Sequence, residues 1–167
     1  MPTFTQIGTA QVVGAGGAAT IDFTSIPATY TDLVIKISAR TAQGYFWDGS
    51  FLRFNNTSTT YKTRLVYGDG SAAGSFNSTT DILTYINGAS ATASAFANTE
   101  IYVPNYAGST QKAVSIDTVI ELNGNPVLMN FAAGLWNGTT AINRITLVPQ
   151  GTIQQYSTAY LYGVSNA

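Results

Sequence analysis

Apolar and polar side chains alternate residue by residue along this chain, in short runs separated by Gly, Asn, Asp and Ser. In Leu33–Ala39, Leu33, Ile35 and Ile37 fall on one side and Val34, Lys36 and Ser38 on the other. In Ala113–Leu122, Val114, Ile116 and Ile120 oppose Ser115, Asp117 and Glu121. A period of two belongs to a β-strand with one packed face, not to a helix. The runs are rich in β-branched and aromatic residues, which suit a pleated, half-buried surface. Strands are predicted at Phe4–Val13, Thr20–Phe23, Leu33–Arg40, Phe51–Phe54, Tyr61–Tyr67, Glu100–Val103, Ala113–Leu122, Val127–Leu135, Arg144–Val148 and Ser157–Gly163. One segment, Thr80–Gly88, reads equally as a turn or two of helix, capped by Asp81 and stopped by Gly88, or as a short strand.

Short strands without long helices point to an all-β fold. The expected form is a two-sheet antiparallel β-sandwich, in particular a jelly roll, with a closed barrel as the alternative. Asn87-Gly88, Asn123-Gly124 and Asn137-Gly138 tolerate the positive φ of tight hairpins. Asp48-Gly49 and Asp69-Gly70 read as looser loops, and Gly88–Ala97 as a loop crossing between sheets. No repeat and no linker divides residues 1–167, so a single domain is expected. The terminal segments 1–11 and 160–167 are read as docking arms.

Charged residues make up only 9% of the 167 residues, against about 25% in an average soluble domain. The exterior must therefore be built from Ser, Thr, Asn, Gln and Gly. Such groups lose less on desolvation than charges do, which suits a surface that neighbours cover. A net charge of −1 and scattered Lys and Arg give no electrostatic basis for binding nucleic acid. The N-terminus reads as no signal peptide, and no stretch approaches the ~20 apolar residues of a membrane helix.

The chain has no His and no Cys. This removes Ser-His-Asp and Cys-His chemistry, and imidazole and thiolate metal sites with it. No catalytic residue, metal or cofactor is expected. Two carboxylates of a glycosidase stand about 5–10 Å apart, whereas Asp117 and Glu121 on one strand face would be roughly 13 Å apart. Val12–Gly17 has the glycines of a phosphate loop without its Lys-Ser/Thr or a following helix, and reads as a flexible turn. Tyr45, Phe46 and Trp47, between Gly44 and Asp48-Gly49, are the candidate contact residues, for a protein interface or a glycan, with burial over the core as the competing reading. Trp136 is expected to cap the core. Tyr156, Tyr160 and Tyr162 are expected on one face of the last strand.

Three segments carry a family resemblance: Ile26-Pro27-Ala28-Thr29-Tyr30-Thr31-Asp32-Leu33, Ile101-Tyr102-Val103-Pro104-Asn105-Tyr106-Ala107-Gly108-Ser109, and Ala141-Ile142-Asn143-Arg144-Ile145-Thr146-Leu147 followed by Tyr160-Leu161-Tyr162-Gly163-Val164. Together they resemble small virion structural proteins and tail-fibre head domains of tailed bacteriophages, cyanophages among them. That resemblance implies a β-sandwich or jelly roll, a homotrimer, and a place in the virion on the capsid surface or on a tail fibre. With a start at Met1 and no coiled-coil heptads or fibre shaft, the reading favours a capsid decoration (cement) protein bound to the major capsid protein. The alternative is a tail-fibre head that binds a receptor or glycan.

Overall fold

The structure, a computed structural model, describes residues 1–124 and 127–165. Among these residues there is no helix and there are thirteen strands: β1 (Thr3–Gln6), β2 (Gln11–Val12), β3 (Ile21–Phe23), β4 (Asp32–Ala39), β5 (Trp47–Phe54), β6 (Tyr61–Gly68), β7 (Ala73–Ser78), β8 (Ile82–Asn87), β9 (Ala97–Val103), β10 (Lys112–Glu121), β11 (Val127–Trp136), β12 (Ile145–Pro149) and β13 (Thr158–Ser165). They form a nine-stranded sheet, β1-β13-β4-β9-β10-β11-β6-β7 with β2 also on β13, and a four-stranded sheet, β3-β12-β5-β8. All strand pairs are antiparallel. The predicted two-sheet antiparallel sandwich is what the chain forms.

The core lies where the alternating apolar residues of the two sheets meet. Leu33, Ile35 and Ile37 of β4, Ile101 and Val103 of β9, and Val114, Ile116 and Ile120 of β10 face Leu52 and Phe54 of β5, Ile82 and Ile86 of β8, and Ile145 and Leu147 of β12. Each such side chain contributes about 1.5–3 kcal/mol relative to exposure. One end is closed by aromatics: Trp136, 2% exposed, packs against Phe54 and Tyr61 with ring centres 5.6 and 6.4 Å away. The expected capping role of Trp136 is met at the end of β11.

Polar side chains also enter the core. Thr84 and Thr118 share a hydrogen bond across the two sheets at 2.9 Å, and the Thr118 hydroxyl donates to Thr99 at 3.1 Å. Bonding to each other satisfies groups that would otherwise be costly to bury.

Several predictions on local structure need correction. Of the two readings open for Thr80–Gly88 the strand is the one that forms, β8, because Ile82, Thr84 and Ile86 face inward at period two; other segments depart from expectation. Asp48-Gly49 lies inside β5 rather than in a loop. Asn87-Gly88 is no hairpin: Asn87 ends β8 opposite Trp47, and Gly88 opens the crossing loop to β9. Asn137-Gly138 follows β11 without a paired return strand; Asn137 donates its N–H to Thr60. The predicted strand Phe4–Val13 is broken at Gly8, where φ is +67°. Asn123 and Gly124 do have the expected positive φ, 70° and 98°, in the connection between the adjacent antiparallel strands β10 and β11; that connection runs over residues 122–126, of which 125–126 lie outside the described part. The two terminal segments lie together, β1 pairing with the end of β13 from Thr3↔Ser165 to Gln6↔Tyr162; residues 166–167 lie outside the described part.

The segments that carry the family resemblance converge on one corner. The Tyr102 hydroxyl donates to Asp32 at 2.7 Å, and the Asn105 N–H donates to the same carboxylate at 2.8 Å. Tyr106, fully buried, donates to the Pro27 carbonyl, while Ile142 N–H donates to the Tyr106 carbonyl at 3.0 Å. Tyr30 lies flat on Gly163, where a Cβ would come within 2.2 Å of its ring. These residues are framework: they fasten β4, β9 and β13 together.

Candidate functional site

The exterior is almost stripped of free charge. Of the charged side chains, Arg40, Lys112 and Asp48 are buried. Lys36–Glu100, Arg53–Asp81 and Arg144–Asp22 are ion pairs. Asp32, Asp69 and Glu121 accept hydrogen bonds from neighbouring backbone N–H groups. Among the described residues this leaves Lys62, Arg64 and Asp117 as charges without a carboxylate or cationic partner. At Asp22, burial alone would raise the pKa, but hydrogen bonds from Arg144 and Thr146 and the Arg144 charge prevail and lower it. Hydrogen bonds from Thr92 likewise lower that of Glu121.

Two of the buried cations were not singled out from sequence. The Arg40 guanidinium donates to Gln154 Oε1 at 3.1 Å and to four backbone carbonyls, Thr92, Ala95, Ala89 and Ala91, at 2.7–3.1 Å. It thereby holds the crossing loop 88–96 against the sandwich. Lys112 hangs its ammonium on the Gly108 and Thr110 carbonyls, and burial lowers its pKa. For Lys112 the sequence does hold a signal, since it stands two residues before inward-facing Val114. The glycine turn of Val12–Gly17, closed by a Gly17 N–H to Gly14 carbonyl bond, borders Arg40. Arg40 has its donors committed to the loop, so that turn gains no anion site from it.

Two surfaces remain as candidates. The first is the outer face of the nine-stranded sheet. Val119 stands opposite Met129, and Phe131 opposite Val66. With Val127 they form a contiguous strip, these five side chains being 42–56% exposed. Arg64 and Asp117 border it. At the other end of this face Val34 is buried, contrary to the simple alternation, because it stands between Tyr102 and Tyr162 on the neighbouring strands. Tyr160 and Tyr162 share the outer face, whereas Tyr156 precedes β13, exposed and at φ +70°.

The second is a groove of about 430 Å³ on the outer side of β5 and β8, bordered by β7. Tyr45, Trp47, Phe51, Leu83, Tyr85 and Phe76 supply its apolar lining. Gln43, Gln150, Ser78 and Thr80 supply polar groups, and Asp48 and Asp81 also line it. Trp47 and Tyr85 meet edge to face at 6.4 Å. Gly49 forms part of the floor; a Cβ there would stand 3.1 Å from the Gln150 amide and 3.4 Å from Leu83. Burial and the nearby Tyr67 phenol raise the pKa of Tyr85. The structure thus brings Tyr45 and Trp47 into one site with residues of β5, β7 and β8. Phe46, 41% exposed, is outside the groove lining, and Trp47 is the first residue of β5 rather than part of a loop.

The two carboxylates in this groove are not arranged for glycoside cleavage. Asp48 pairs opposite Ile86, five residues along from Asp81, which is roughly 16 Å of strand. Asp48 accepts the N–H groups of Gln150 and Gly151 at 3.2 and 2.8 Å, and Asp81 is held by Arg53 at 2.5 Å. Comparison of the chain with protein-family models, with curated proteins and with solved structures finds no match.

Proposed function

We propose that this protein is a non-enzymatic structural component of a tailed-phage virion: a capsid decoration protein that associates as a homotrimer and docks at junctions of the major capsid protein. The observation that carries the reading is the Val66, Val119, Val127, Met129 and Phe131 strip on the outer face of the large sheet. Contiguous apolar patches rimmed by polar groups mark interaction surfaces. The strip itself carries no charged side chain, and the two charges beside it, Arg64 and Asp117, are of opposite sign and stand at its rim, where they remain solvated or pair with a partner. Both edges of the large sheet point the same way. β1 (TFTQ) and β7 (AGSFNS) carry no charge and no proline, the usual devices that keep edge strands from pairing with other chains.

The solvent-accessible surface is 8030 Å² for 17.6 kDa, close to the roughly 7,900 Å² of a compact monomer of that mass. The fold therefore closes its own core, and association is the docking of preformed surfaces. A patch of this kind concentrates binding energy in its central aromatic. Phe131→Lys places a charge on the strip at an exposed position opposite Asp117, which the fold tolerates. The expected result is a loss of trimer and of rebinding to stripped capsids by about 30-fold or more, with thermal stability retained. A variant that assembles and rebinds as the wild type does would overturn the reading.

A further inference from the structure

We infer that the groove between Trp47, Tyr85 and Phe76 is a binding site for a neutral oligosaccharide. The inference is independent of the docking role: a decoration protein and a fibre head could each use it. It follows from which groups in the lining are still free.

Neither charge sign is on offer to a ligand. Asp48 is buried and engaged by two backbone N–H groups, and Asp81 is paired with Arg53 and also accepts the Thr80 hydroxyl at 2.6 Å. Arg53 pairs with Asp81 through Nη2 and lies 5.4 Å from the centres of both the Phe51 and Tyr61 rings; its Nη1 is buried without a partner among the described residues, and the residue is not part of the groove lining. No Lys or Arg lines the groove. An anionic peptide, a phosphate or an acidic sugar would find no counter-charge, and a metal ion no free carboxylate.

What remains is amide, hydroxyl and aromatic face. The Gln150 side chain makes no hydrogen bond among the described residues. Gln43 uses its Oε1 to accept the Gly44 N–H at 3.2 Å, and among the described residues its NH₂ makes no hydrogen bond. Side-chain amides offer donors and an acceptor together, matching the mixed donor–acceptor rim of a sugar ring. Tyr45 is 70% exposed and Trp47 41%, and rings with one apolar face and a polar tip suit the apolar C–H face of a pyranose. The missing Cβ at Gly49 lets the Gln150 amide, Leu83 and Tyr85 draw together over the backbone. At about 430 Å³, the groove falls within the roughly 300–1,000 Å³ range of small-ligand sites.

The chain has two tryptophans, and Trp136 is buried, so ligand-induced change in tryptophan emission reports on Trp47. The probe is a panel of neutral oligosaccharides of glucose, galactose, mannose and N-acetylglucosamine, with sialylated and sulfated counterparts, titrated into the isolated wild-type protein. At least one neutral member is expected to bind and to shift the emission, its acidic counterparts binding no more tightly. Calorimetry on Trp47→Ala and on Gln150→Ala is expected to show at least tenfold weaker binding with the melting temperature kept, and Trp47→Phe to recover most of it. Failure of every saccharide, preference for the acidic ones, or binding that survives both alanine variants would overturn the inference. So would a groove that takes a peptide and no sugar. None of these outcomes bears on capsid rebinding, which is read separately.

Discussion

Replacing Arg40 by alanine is expected to destabilise the fold by about 3–5 kcal/mol, the cost of breaking up a buried charged hydrogen-bond cluster. Arg40 is only 6% exposed, and its five donors serve four carbonyls of the 88–96 loop and the Gln154 amide. Alanine would leave the buried Ala91 carbonyl and the part-buried Thr92, Ala95 and Ala89 carbonyls without their donors, in a segment that has little apolar surface of its own. In a chain of this size the loss corresponds to a drop in melting temperature of roughly 6–20 °C. Lysine is expected to recover less than half of it, because three donors on a single nitrogen cannot match the planar fork of a guanidinium. Thermal or urea denaturation checks this; a loss below about 1 kcal/mol would mean that water serves the loop as well as Arg40 does.

Tyr61 is the second position with a large expected effect, and two substitutions separate its ring from its hydroxyl. The ring is fully buried, stacked on Trp136 at 6.4 Å and tilted against Phe54 at 6.2 Å. The hydroxyl accepts the Phe54 N–H at 2.7 Å and lies 2.7 Å from the Thr57 hydroxyl. Tyr61→Phe keeps the packing and strands a buried N–H, for an expected loss of about 1–3 kcal/mol. Tyr61→Ala opens a cavity at the end of the core, for about 3–5 kcal/mol. Denaturation of both variants tests the assignment, and equal losses would contradict it by showing that the ring contributes nothing beyond the hydroxyl.

The sequence disclosed the sandwich because its strongest signal, the period of two, is written into single strands such as β4 and β10. Features that depend on neighbours were hidden. β7 (AGSFNS) lacks the β-branched residues that mark a strand and is one because β6 pairs with it. Val34 reads as an outer residue until Tyr102 and Tyr162 are placed on either side of it. Arg40 looks like an ordinary charge at a strand end until the crossing loop folds over it. The strand order rests on pairings between distant segments, such as β12 between β3 and β5, which no local pattern encodes. In the groove, Tyr45 and Trp47 were legible as exposed-aromatic candidates. Tyr85, Phe76 and Gln150 were not, because they come from β8, β7 and the turn after β12.

The central claim, that a neighbouring subunit covers the outer face of the large sheet, is tested most directly by oxidative footprinting of Met129. This residue lies in the apolar strip at 45% exposure, and the chain's other methionine is Met1. Peroxide converts exposed methionine to the sulfoxide, while a covered thioether is spared. In dissociated protein Met129 is predicted to oxidise readily, and in the assembled trimer or the intact particle several-fold more slowly. Met129 oxidising as fast in the assembly as in the free chain would contradict the claim.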